Sequence, residues 1–191
     1  MKKMNALIVI LLCGSLWQLT SASWIHAKAI IAQQLLNHSW SLTLNDSTNI
    51  QYKPWPWADT WPVAKLIAPQ QNIEQIILAG DSGNSLAFGP GYSLASNVPN
   101  TGGTTIISAH RDTHFSFLQN LKINDTFTLQ TVEKTIKYQI YDLQIVDSKK
   151  YTIQKNNGNQ KLILVTCYPF KTIIAGGSLR YLVFAKPISI I

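Results

Sequence analysis

Two cysteines in 191 residues are too few for a disulfide framework. Cys13 lies in an apolar N-terminal run and Cys167 in the body, so they are not expected to pair. Cys167 is then either a buried hydrophobe or a free reactive thiol. Acidic residues are also scarce, nine against sixteen lysines and arginines. They are scattered, and no histidine pair or cysteine cluster stands at ligand spacing, so neither a metal nor a cofactor is expected. The net charge of +7 is spread over single lysines, densest at Lys149, Lys150, Lys155 and Lys161. With no aromatic-interleaved basic stripe and no arginine cluster, a nucleic-acid partner is not expected. A solvated lysine-rich surface is the plain reading, and a basic face near phospholipid or an anionic substrate is the alternative. Internal repeats and low-complexity tracts are missing too.

One long hydrophobic run is present, at the N-terminus. Met1-Lys2-Lys3 is followed by about seventeen mostly apolar residues to Leu19, near the lower limit for crossing a bilayer. The leading lysines predict a cytoplasmic N-terminus and a translocated body, outside the cytoplasmic membrane. An uncleaved anchor over 1–22 is favoured over a signal cleaved after Ser21-Ala22-Ser23. From Ala27 to Leu36 the apolar spacing and the alanine, glutamine and leucine content predict a helix, a stalk or a brace against the body. Lys53-Pro54-Trp55-Pro56-Trp57-Ala58-Asp59-Thr60-Trp61-Pro62 follows, three prolines and three tryptophans in ten residues. Such a segment is stiff and carries large apolar area, so docking as a belt is favoured over contact with a membrane interface. Residues 23–60 thus form a stalk and belt ahead of a body at 61–191.

The body reads as short strands separated by turn residues, at 63–67, 74–79, 104–109, 126–132, 135–145, 161–166 and 179–185. Gly80-Asp81-Ser82-Gly83-Asn84, Gly89-Pro90-Gly91 and Pro99-Asn100-Thr101-Gly102-Gly103 supply the turns. Phe115 to Leu121 reads as a helical turn. Seven or eight short strands with little helix predict an all-β fold, a closed or half-closed barrel.

Three residues at strand boundaries carry the chemistry. Lys161-Leu162-Ile163-Leu164-Val165-Thr166 is an apolar strand that delivers Cys167 to its end, and Pro169 prevents its continuation. His110 ends the run Thr104-Thr105-Ile106-Ile107-Ser108-Ala109, and Arg180 opens the last strand. A thiol, an imidazole and a guanidinium so placed make a nucleophile, a proton carrier and an oxyanion stabiliser.

This order, with Leu164-Val165-Thr166-Cys167 and thirteen positions from Cys167 to Arg180, resembles the sortases, cysteine transpeptidases built on an eight-stranded β-barrel. Gly89-Pro90-Gly91-Tyr92 and Ala109-His110-Arg111-Asp112-Thr113, with Phe115 and Leu118, are similar to sortase segments around the histidine. The Trp55-to-Pro62 belt is most similar to the proteobacterial class GN. Ile163 stands where the family usually has threonine.

The resemblance implies that Cys167 attacks a peptide carbonyl and forms a thioester, with His110 as general acid and then base. Arg180 would bind the oxyanion or the substrate backbone, and Thr166 is a candidate substrate-contacting hydroxyl. Asp112 and His114 stay loop residues. The implied substrate is a secreted protein with an LPxTG-like C-terminal signal, and the acceptor is an amine. The inner membrane would hold the N-terminal helix, with the catalytic domain on the periplasmic side. Two readings compete: hydrolysis of the same signal, and a tethered β-barrel that binds a partner without chemistry. An L,D-type transpeptidase is disfavoured, because no histidine stands beside Cys167.

Overall fold

Alternation of apolar and polar residues with a period of two makes each strand of the body two-faced, and closing the sheet on itself buries one face of every strand. The computed structural model describes residues 2–46, 50–154, 158–172 and 176–190. Among them, eight strands form a closed barrel in the order β1-β2-β3-β4-β7-β8-β6-β5. The strands are β1 (Pro62–Ala68), β2 (Ile73–Ala79), β3 (Gly91–Tyr92), β4 (Thr104–Ser108), β5 (Thr126–Gln130), β6 (Thr135–Asp147), β7 (Lys161–Cys167) and β8 (Leu179–Ile190). β4 and β7 run parallel, as do β2 and β3, and the other pairs are antiparallel.

The barrel interior is filled by alternate residues, among them Leu66, Ile77, Ile107, Phe127, Leu162, Leu164 and Val183. Phe115, Phe117 and Leu118, around the 3₁₀ turn Ser116–Asn120, plug one region of that core. The sequence did not mark the two-residue strand β3, which lies inside the Gly-Pro-Gly turn. Gly91 pairs there with Ser108, and a Cβ at Gly91 would collide with the Gly80 carbonyl oxygen. Only glycine allows that approach.

The N-terminal helix α1 (Lys2–Asn45) is one 44-residue element that runs through both the segment expected as an anchor and the helix expected over Ala27 to Leu36. Its C-terminal part braces the barrel, where Leu36 and Trp40 are buried against Ile76 and Leu78. Its N-terminal part presents Leu11, Leu12, Leu16 and Trp17 to the surroundings. Among the described residues no helix is long and apolar enough to cross a membrane, so the spanning segment expected over 1–22 lacks structural support. The Trp/Pro belt docks. Trp55 meets the Phe88 ring edge-on at 4.8 Å, and Thr60 donates to the Ala79 carbonyl at 2.7 Å. Trp57 is the exception, 83% exposed.

Candidate active site

Three neighbouring strands decide where the chemistry sits. In β7, Leu162 and Leu164 point into the barrel core, so Ile163, Val165 and Cys167 point outward. In β8, Val183 and Ala185 point inward and Leu182 and Phe184 outward, which carries Arg180 to the same outer face. In β4, Ile107 and Ala109 are core residues, so Ile106, Ser108 and His110 share the outer parity.

Register then lines these residues up. Cys167 is the Cα partner of Arg180 across the β7–β8 ladder. Ser108 pairs with Val165 in the parallel β4–β7 ladder, and the Ala109 N–H still donates to the Val165 carbonyl at 3.2 Å. His110 lies two residues past the last pair of this ladder, and continuing the same register brings it level with Cys167. By that extension His110 falls in one row with Cys167 and Arg180, which are themselves paired on one outer face and at one end.

Each member of the row is accessible. Cys167 is free and half-buried, His110 is exposed and Arg180 is half-buried. The Arg180 Nη1 donates to the Gly177 carbonyl at 2.7 Å and to the Leu179 carbonyl at 2.9 Å. A guanidinium has five N–H donors, so this tethering fixes its place while leaving capacity to donate to a substrate oxygen.

Thr166 is placed elsewhere than expected. It lies on the inner face, 2% exposed, and its hydroxyl donates to the Ala109 carbonyl at 2.8 Å. It joins the strand carrying Cys167 to the segment carrying His110, and its hydroxyl does not face the row. Asp112, expected to be a loop residue, contacts Arg111 at 3.3 Å. His114 is half-buried, and burial, together with the charge of nearby His110, lowers its pKa from the ordinary 6.5.

The sequence reading passed over Arg111. Its side chain is 10% exposed. Nη1 and Nη2 donate to the carbonyls of Pro169, at 2.8 Å, and Thr172, at 3.1 Å, in the loop that leaves Cys167. A signal for it existed: the chain has fourteen lysines and only two arginines, Arg111 and Arg180. An arginine in such a chain points to a need for the planar fork.

Along the outer face, away from Cys167, Ile163, Leu182 and Phe184 form a small apolar cluster with Val146, Ile153 and Val165. Ile153 comes from the β6–β7 connection. Beside it a cavity of about 280 Å³ is lined by Thr104, Tyr151, Ile153, Ile163 and Phe184, among others. Ile163 is four residues from Cys167, about 13 Å along a strand.

The Sortase domain family matches residues 66–188, most of the barrel. The chain belongs to the sortase family. Over 122 residues it is 30% identical to Sortase D of Bacillus subtilis (strain 168), a match that covers 63% of this chain and 61% of that protein. The fold is similar to a Clostridium perfringens Sortase D5 transpeptidase, with a TM-score of 0.68, 19% identity, and 83% and 99% of the two chains covered. It is also similar to Sortase A from Corynebacterium diphtheriae, with a TM-score of 0.62, 20% identity, and 83% and 84% covered.

Proposed function

We propose that this protein is a cysteine transpeptidase that cleaves an LPxTG-like C-terminal signal of a secreted protein and passes the acyl group to an amine. The observation that carries the reading is the pairing of Cys167 with Arg180 on one outer face, with His110 leaving the neighbouring strand β4 at the same end.

The Cys167 thiolate attacks the scissile carbonyl carbon, forming the C–S bond and a tetrahedral oxyanion. Arg180 donates to that oxygen, where a well-placed donor is worth about 3 kcal/mol of barrier. His110 gives a proton to the departing amine as the C–N bond breaks, leaving a thioester on Cys167. The acceptor amine then enters, His110 takes its proton, and the thiolate departs as the new amide forms. The peptide N-terminal to the scissile bond would lie beside the half-buried Val165, the next outward residue before Cys167 on β7, which favours an aliphatic side chain in the signal.

The N-terminal segment is proposed to hold the domain to the cytoplasmic membrane, with the catalytic face on the periplasmic side. Support comes from Lys2 and Lys3 and from the exposed Leu11, Leu12, Leu16 and Trp17 of α1, which need an apolar cover. A place in the proteobacterial class GN is proposed from the Trp55-to-Pro62 belt.

The test is cleavage of a fluorogenic LPxTG-type peptide by the full chain, with and without an added amine. Transfer predicts an amine-ligated product that is lost in Cys167→Ala. Cleavage with no ligated product at any amine concentration would reduce the activity to hydrolysis.

A further inference from the structure

His110 stands just past the end of β4, where the ladder no longer holds the chain. Its carbonyl accepts from the Phe115 N–H at 3.0 Å, and Phe115 is buried in the barrel core. That fixes the segment from the inside. Gln75 Nε2 also donates to the His114 carbonyl at 2.8 Å, and the next residue, Arg111, ties the segment to the chain leaving β7.

The partner it holds is the chain leaving β7, at Pro169 and Thr172. Just before it, the Tyr168 N–H donates to the Leu179 carbonyl at 3.1 Å, next to the Cys167–Arg180 pair. Arg111 gathers the Pro169 and Thr172 carbonyls with two separate nitrogens, bridging 58 and 61 positions of sequence. A lysine offers one compact charge and cannot reproduce this planar, two-point grip. The Asp112 contact is secondary, because that carboxylate is 66% exposed and water screens it. A loop arginine kept for solubility would be exposed; this one is not.

We propose that Arg111 is a positioning residue of the reaction: it ties the His110 segment to the loop leaving Cys167, so that proton carrier and nucleophile sit on one frame. This rests on the transpeptidase reading for its kinetic consequence. The geometric claim has a second readout that needs no peptide.

The experiment uses the full chain with Cys13→Ser, so that Cys167 is the one thiol that reports. Arg111→Lys, Arg111→Gln and His110→Ala are compared with the parent in two ways: turnover of an LPxTG-type peptide, and the pH profile of Cys167 alkylation by iodoacetamide. Both Arg111 variants should lose about ten- to hundredfold in kcat/KM, as expected for misplaced reacting groups. Their alkylation profiles should move toward that of His110→Ala, and lysine should not rescue. Should Arg111→Gln fail to fold, the milder Arg111→Lys decides. Parental kcat/KM in Arg111→Lys would overturn the proposal. Parental alkylation profiles in the Arg111 variants, or in His110→Ala itself, would do so too. If the parent turns over no such peptide, the transpeptidase reading fails separately, and the alkylation profiles still decide the role of Arg111.

Discussion

The Thr166 hydroxyl donates to the Ala109 carbonyl at 2.8 Å, joining the residue before Cys167 to the residue before His110. This buried bond sits directly beneath the row on the outer face. It gives a specific expectation. Thr166→Val keeps the shape but leaves the Ala109 carbonyl without its hydroxyl donor, at a cost of about 1–3 kcal/mol. Urea denaturation should show that loss, and kcat/KM should fall while native alkylation of Cys167 persists. Thr166→Ser should restore both.

Arg180 is the Cα partner of Cys167 across the ladder, and under the proposed oxyanion role its removal should act on the transition state more than on binding. Arg180→Gln should lower kcat by about 10²–10³-fold, the usual effect of losing an oxyanion donor. KM should change little, as steady-state kinetics would show. Arg180→Lys should recover little of the loss, because the fork and not the charge alone is used.

His114 predicts a pH effect on stability. Burial lowers its pKa below the ordinary 6.5, so the unfolded chain binds a proton more readily than the folded one. Stability is therefore complete above about 6.5 and is lost as pH falls from there toward the lowered value. Asp147 acts separately. Hydrogen bonds from Lys149 and Ser178 hold its pKa below 3.8, so its contribution disappears only in stronger acid. Thermal melts of the wild type should show a decline beginning near pH 6.5. His114→Gln should flatten that first decline and leave the second.

Tyr138 is buried in the barrel, and its hydroxyl donates to Asn100 Oδ1 at 2.9 Å. Burial pushes its pKa up to about 12, with a hydrogen bond from Gln160 opposing. Asn100 has a φ of 63°, and its side-chain amide also donates to the Leu129 carbonyl at 2.9 Å. Tyr138→Phe leaves the buried Asn100 oxygen without that donor, which should cost about 1–3 kcal/mol in denaturant titrations. Activity per folded molecule should not change, since this network lies away from the row.

Much of this arrangement was legible in the residues. Apolar alternation and turn chemistry indicated the strands, and β7 begins and ends within a residue of expectation because Pro169 prevents its extension. His110, Cys167 and Arg180 could be named from their strand-boundary positions. What the sequence could not supply was parity and partner. Thr166 and Cys167 are neighbours in the chain, but a strand sends them to opposite faces, and nothing local says which face is buried. Arg111 was missed for a related reason. Its partners, Pro169 and Thr172, lie about sixty residues away, and only barrel closure brings β4 against β7. The two-residue β3 carries no periodicity to detect. α1 extends past Leu36 to Asn45, where Leu36 and Trp40 gain their packing from Ile76 and Leu78, partners that the local sequence does not reveal.

The most direct test of the central claim is the intact mass of the full chain after incubation with an LPxTG-type peptide, with the modified residue located by peptide mapping. A thioester adduct on Cys167 that is absent from Cys167→Ala, and that disappears on adding an amine as ligated product forms, is the predicted result. No adduct with any related peptide, together with a Cys167 thiol that alkylates only in denaturant, would contradict the account and leave a barrel that binds without chemistry.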